Sequence, residues 1–129
     1  MATWRRKAIE LFPELRRELN HPEYTIYWLF FDLYPEVQIA HRESDSARLD
    51  KIYGYAAWCI DQTSKEPANA AAVAFYEHLM HEPWMREAAA ARLTVGMRAD
   101  FLGLWEHLLS PSEFADVKRV LARVPPLGE

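Results

Sequence analysis

A chain of 129 residues, half of them hydrophobic and a quarter charged, has the length and composition of one globular domain and not of a disordered segment. Its single cysteine, Cys59, excludes an internal disulfide framework, and no stretch reaches the roughly 20 apolar residues that a membrane span requires. The formal net charge of −4 divides into +2 for residues 1–19, −8 for 20–116 and +2 for 117–129, which lacks the dense basic face of a nucleic-acid binder and suits a cationic partner.

Helical periodicity and proline punctuation predict an all-α fold: a single compact bundle of about five to seven helices over residues 1–129, with orthogonal or solenoid-like hairpin packing and a frayed tail at 124–129. The first helix starts at Thr3 as N-cap and runs through Trp4, Ala8, Leu11, Phe12, Leu15 and Leu19, with Pro13 kinking or restarting it. Asn20 is expected to cap a second helix at Pro22.

The segment Tyr24–Tyr34, YTIYWLFFDLY, is the most unusual in the chain: six of its eleven residues are aromatic and Asp32 is its only charge. Such residues favour strands, but Tyr24, Tyr27, Trp28, Phe31 and Tyr34 recur at helical spacing and strict alternation is absent. The reading is therefore a helix, broken or bent at Pro35. Being too short for a bilayer, the run has to be buried inside the protein or against a partner.

Ser44-Asp45-Ser46 is a strong helix start for a segment reaching about Thr63, with Leu49, Ile52, Tyr53, Ala56 and Ile60 on one face. Gly54 within it suggests a close approach by another helix. Pro67 opens a helix with Ala68, Ala71, Ala72, Phe75, Tyr76 and Leu79 facing inward, and Pro83 opens an alanine-rich one to Leu93. A break at 94–96 precedes a helix holding Phe101, Leu102, Leu104, Trp105, Leu108 and Leu109. Ser110-Pro111-Ser112-Glu113 is a capping box for the last helix, whose Phe114, Val117, Val120 and Leu121 face the core before Pro125 and Pro126 end it. Two short echoes, ELFPEL (10–15) with DLYPEV (32–37) and YEHL (76–79) with WEHL (105–108), are either vestiges of a helical repeat or chance.

Chemistry is sparse. His78 and His81, spaced i, i+3 between Glu77 and Glu82, are the best metal candidates, with His107 and Glu106 or His41 to complete a shell; helical bundles build metal sites from such spacings. The run lacks the HExxH order, and a histidine near a helix C-terminus is equally explained by the helix dipole. Cys59 lies mid-helix away from any activating group and reads as a buried structural thiol. No phosphate-binding glycine loop and no distinct carboxylate pair occurs. Neither a catalytic residue nor a cofactor is assigned.

Five tryptophans point instead to binding, because Trp, Tyr and Phe dominate protein interfaces. Trp4 and Trp84 are the two expected to be partly exposed, unless they staple helix ends.

The motifs ELFPEL (10–15), KIYGYAAWCI (51–60) and Asn69 followed by FYEHL (75–79) resemble those of small, uncharacterised helical proteins of bacteria over about residues 3–122. Some of these accompany polymorphic toxins as immunity partners. The resemblance implies a non-enzymatic protein that occludes another protein, without transferring any catalytic residue. Taken with the charge pattern, it makes Asp32, Glu36, Glu43, Asp45, Asp61 and Glu66 the expected contacts to a cationic toxin, with Trp58 or Tyr55 as aromatic anchor. A metal-binding bundle built on His78 and His81 and a homodimeric structural module are the rivals. No signal peptide is visible in MATWRRKAIELF, so the expectation is a cytoplasmic protein that binds neither nucleic acid nor membrane.

Overall fold

The structure, a computed structural model, describes residues 1–128. It is all-α: eight α-helices and three 3-10 turns account for the regular structure, with no strand among the described residues. The chain forms two compact units, Met1–Phe75 and Tyr76 onward. The boundary falls inside an aromatic stretch, where no linker composition marks it.

In the first unit, helix α1 (Thr3–Leu11) follows Ala2, which takes the N-cap position in place of Thr3. Proline ends α1 as expected. Pro13 opens a 3-10 turn (Pro13–Leu15), and a short α2 (Arg16–Leu19) follows. Asn20 closes α2 as its C-cap and does not start the next helix. The Arg5 guanidinium binds the connection beyond it, donating to the backbone carbonyls of Leu19, His21 (3.0 Å) and Tyr24 (2.7 Å). Leu19 is the last residue of α2, where carbonyls have no helical donor, and the His21 carbonyl also accepts the Tyr24 amide at 3.1 Å.

Helix α3 (Ile26–Glu43) begins where the Thr25 hydroxyl accepts the Trp28 amide at 3.2 Å. It runs for 18 residues without a break, so Pro35 does not divide it. Pro35 has no N–H, and the Phe31 carbonyl four residues earlier therefore lacks its usual helical donor. Pro35 is exposed, so its ring is accommodated on the outer side of the helix. Ser44 ends α3 in the left-handed region (φ 54°, ψ 40°), and the Asp45 amide donates back to Ala40 at 2.8 Å. Asp45 then caps α4 (Ser46–Ile60), its carboxylate accepting the Arg48 amide at 3.1 Å.

The interior is aromatic and close-packed. Helices α3 and α4 pack on each other and on α5 (Lys65–Ala74), whose buried Ala70, Ala71 and Ala74 allow a near approach. Phe30 meets Tyr55 (5.7 Å) and Phe75 (5.8 Å), Phe12 meets Tyr55 edge-on (5.7 Å), and Tyr53 meets Phe75 (5.4 Å). The Tyr55 hydroxyl donates to the Trp4 carbonyl at 2.9 Å, tying α4 to α1. Trp4 is itself only 7% exposed, against the expectation of a surface residue. Gly54 is not a close-approach site: a Cβ there would meet nothing within 4 Å.

The second unit is built differently. Segment 76–82 is not a continuation of α5, which stops at Ala74; Tyr76–His78 forms a 3-10 turn. A further turn (Pro83–Met85) leads into a short α6 (Arg86–Ala90), then α7 (Val95–Leu108) and α8 (Pro111–Arg123). Thr94 and Ser110 cap α7 and α8, each accepting an amide at 3.2 Å; Ser110 is the expected cap, whereas the expected break at 94–96 is Thr94 and the first two residues of α7. Trp105 is fully buried and donates its indole N–H to the Tyr76 carbonyl at 3.0 Å, and Tyr76 stacks on Phe101 (4.6 Å).

Two buried arginines complete this unit. Arg86 donates to the Met80 carbonyl (2.8 Å) and to Glu113 and Asp116 (3.0 Å each). Arg98 donates to the carbonyls of Ala90 (2.7 Å), Leu121 (2.9 Å) and Val124 (2.9 Å), holding the exits of α6 and α8. The tail is partly fixed and not frayed throughout: the Leu127 amide donates to the Leu93 carbonyl at 3.0 Å. Glu129, the last residue of the expected frayed tail, lies outside the described residues. The sequence echoes are not structural repeats. Residues 10–15 end one helix while 32–37 lie inside another, and 76–79 starts with a 3-10 turn while 105–108 ends α7.

Candidate functional site

The exceptional feature of the surface lies on α3. Its buried residues are Ile26, Leu29, Phe30, Leu33, Val37 and Ala40. Those positions are one helical face, and they are not the aromatic stripe picked out by spacing. The stripe faces the other way: Trp28 is 58%, Phe31 51% and Ile39 46% exposed, while Tyr24, Tyr27 and Tyr34 are half-buried. Trp28 and Phe31 touch edge-to-face with ring centroids 5.9 Å apart, so the exposed rings form a continuous patch. From the half-exposed rings and Ile39 the patch presents roughly 300 Å² of apolar surface, the size at which exposed patches on monomers are often functional.

Two open clefts border this face. One, of about 460 Å³, is lined by Arg17, Glu18, His21, Glu23, Tyr24 and Trp28. The other, of about 640 Å³, is lined by Tyr27, Lys65, Glu66, Ala68 and Asn69, where the Asn69 amide donates to the Tyr27 hydroxyl at 2.8 Å. Tyr24 donates its hydroxyl to Asp32 at 2.6 Å. Burial, then the hydrogen bond to Asp32 and the nearby carboxylates of Asp32 and Glu18, raise the Tyr24 phenol above its ordinary value, so it stays a donor.

The acidic residues singled out from the sequence do not converge on one site. Asp32 lies beside the exposed aromatic patch. Glu36 is paired with Arg48 (3.2 Å), which also holds Glu14 (2.8 Å). Glu14 sits below its ordinary value: burial works the other way, but a backbone hydrogen bond and Arg48 outweigh it. Asp45 is occupied as a helix cap, Asp61 is the exposed C-cap of α4, and Glu43 is an exposed end of α3.

Of the two proposed anchors, Tyr55 is fully buried and can touch no partner, because its ring fills the core and its hydroxyl is taken by Trp4. Trp58 is half-buried, stacked on Tyr55 at 5.9 Å, and with Glu66 it lines a cleft of about 290 Å³. Trp84 is 45% exposed, where a staple at the helix start is the reading the sequence favours.

The histidine pair does not assemble a metal centre. His78 and His81 stack ring on ring at 5.2 Å on a turn. Among the described residues no group of three or more His, Cys, Asp or Glu is placed to hold an ion, which leaves Glu77, Glu82, Glu106 and His107 out of any shell. His41 is engaged with the Tyr53 hydroxyl at 2.8 Å. Burial pushes the Cys59 thiol up to about 12, a hydrogen bond with Tyr55 opposing only in part, so it has no thiolate character at neutral pH.

Sequence reasoning leaves open whether the run packs inside or meets a partner, and so does not single out Trp28 and Phe31 as exposed. The signal that finds them is the full length of the helix. Extended to residue 42, their stripe meets Pro35, Gln38 and Arg42, whereas the opposite stripe stays apolar from Ile26 to Ala40. No described helix is long and apolar enough to cross a membrane. No curated protein and no solved structure matches the chain. A family profile matches residues 5–109, which include all of α3, and the chain belongs to that family, described as a domain of unknown function (DUF7674).

Proposed function

We propose that this domain binds another protein on the aromatic face of α3, without chemistry of its own. One observation carries the reading: Trp28, Phe31 and Ile39 stand about half exposed on the same face of one helix, although six apolar neighbours on that helix are buried. Aromatic residues are enriched where interfaces form and are costly to leave in water. The exposed rings lie outside the core of the first unit, which is filled by Phe12, Phe30, Tyr55 and Phe75. A cytoplasmic setting belongs to the same proposal, since a reduced, buried Cys59 suits it. Toxin neutralisation is its narrower form, supported by the formal charge of −4 through opposite-charge encounter with a basic partner.

The test is affinity capture from the native host with the wild-type chain and the Trp28→Ser/Phe31→Ser variant side by side. Both are expected to melt within a few degrees of each other, because neither side chain is core. A partner held by the wild type and lost by the variant supports the reading. Partners retained equally by both overturn it.

A further inference from the structure

The docking reading leaves the partner's chemistry open, and the surroundings of Asp32 narrow it. Asp32 is exposed, follows Phe31 directly and lies one helical turn beyond Trp28. Its Oδ2 accepts the Tyr24 hydroxyl at 2.6 Å, which fixes the carboxylate beside the rings. That bond uses one of about four acceptor positions of a carboxylate. Among the described residues no cation pairs with Asp32, whereas Glu14 and Glu36 share Arg48, Glu113 and Asp116 share Arg86, and Glu87 has Arg123. The cleft at the foot of the face adds Glu18 and Glu23 against Arg17. With Asp32, three carboxylates stand near two guanidiniums, Arg17 and the Arg5 group that holds the His21 and Tyr24 carbonyls, and of the three carboxylates Asp32 is the one beside the rings.

We infer, resting on the docking reading, that the occupant of this face is a basic segment of a different protein that sets an arginine against Asp32 and the Trp28 ring. Arginine matches the geometry better than lysine. Its planar guanidinium stacks on an indole while its N–H groups fork onto a carboxylate, and its weak hydration suits an apolar surround. A second copy of this chain fits worse. A two-fold interface places the same patch against itself, bringing Asp32, Glu18 and Glu23 of one copy toward the same carboxylates of the other.

The experiment titrates the full chain with three capped amphipathic 12-residue peptides. They share their leucine positions and carry arginine, citrulline or glutamate at the polar ones. Affinity is read by calorimetry, and the site by the Trp28 indole N–H resonance. The arginine peptide is expected to bind with Kd in the range of roughly 10–100 μM, the citrulline peptide about tenfold weaker and the glutamate peptide not measurably. Asp32→Asn should weaken the arginine peptide about tenfold and leave the citrulline peptide unchanged, while Asp61→Asn changes neither.

Three results overturn the inference. The arginine peptide shows no binding, or Asp32→Asn binds it normally, or the free chain sediments as a dimer that Phe31→Ser dissociates. The dimer result, or citrulline binding as strong as arginine and lost with Trp28→Ala, would keep the docking reading and discard the basic occupant. The docking reading itself fails when Trp28→Ala and Phe31→Ala alter neither peptide binding nor self-association.

Discussion

Both units place guanidinium groups on backbone carbonyls, and they differ in how deeply those groups are buried: Arg5 is half-buried, whereas Arg86 and Arg98 are buried. Each must bind carbonyls left over where short helices end and the chain turns. The first unit combines aromatic packing with two anchors, the Tyr55 hydroxyl on the Trp4 carbonyl in the core and the half-buried Arg5 guanidinium on the carbonyls of Leu19, His21 and Tyr24. The second relies on cations, Arg86 and Arg98, buried to 2% and 8% exposure and between them serving four carbonyls and two carboxylates. A tyrosine hydroxyl can donate only once, whereas a guanidinium has five N–H donors. Where several helix ends meet, as at Ala90, Leu121 and Val124, arginine is the only side chain that reaches them all.

That comparison can be broken by substitution. Arg98→Ala should have the largest effect, about 3 kcal/mol of lost stability in chemical denaturation, because three carbonyls lose their donor at once. Tyr55→Phe keeps the packing and removes one buried hydrogen bond, and about 1–2 kcal/mol is expected by the same measurement. A reversed ranking would mean that the hydroxyl, and not the guanidinium, is the stronger anchor. Gly54→Ala should stabilise by about 0.5–1 kcal/mol, since the added methyl meets nothing within 4 Å and the helix loses a flexible residue. Gly103→Ala in α7 should gain the same, and a destabilised variant at either position would contradict the open space seen there.

The pH response should separate the units with the smallest effects. Asp116 is held below its ordinary 3.8, first by its hydrogen bond to Arg86, with burial opposing and the charges of Arg86 and Arg119 adding to the drop. A depressed carboxyl contributes stability above its ordinary value and loses it as pH falls, so the urea midpoint should decline below about pH 4. Arg86→Met should flatten that decline. Burial raises the Tyr55 phenol far above its ordinary 10.0, so its contribution is complete below that pH and is lost as the solution becomes more alkaline. Tyr55→Phe should therefore be the less alkali-sensitive protein.

Much of this fold is legible in the sequence. Asp45 and Ser110 cap the helices that their side chains announce, Pro13 ends the first helix, and Cys59 is the expected buried thiol, although α4 stops at Ile60 and leaves it in the last turn and not mid-helix. Three things are not legible, each for a physical reason. Periodicity shows that residues 26–43 are helical but not which of two apolar faces turns inward, and that depends on what α4 and α5 offer. Charge suggests that Arg86 and Arg98 are exposed, because only the fold brings carbonyls to them from residues 6 to 26 positions away in the chain. Composition predicts a tyrosine anchor on the surface, whereas Tyr55 is spent on the core.

The missing rung at Pro35 bears on any surface that comes to cover α3. The Phe31 carbonyl belongs to the exposed side of α3, and Pro35 offers it no amide four residues on. A purely greasy cover would strand that oxygen, at a cost of about 1–3 kcal/mol. A cover that brings its own N–H, or seals one water in place, would not. The backbone thus discriminates between adhesion by any oily surface and recognition by one carrying a hydrogen in the right spot.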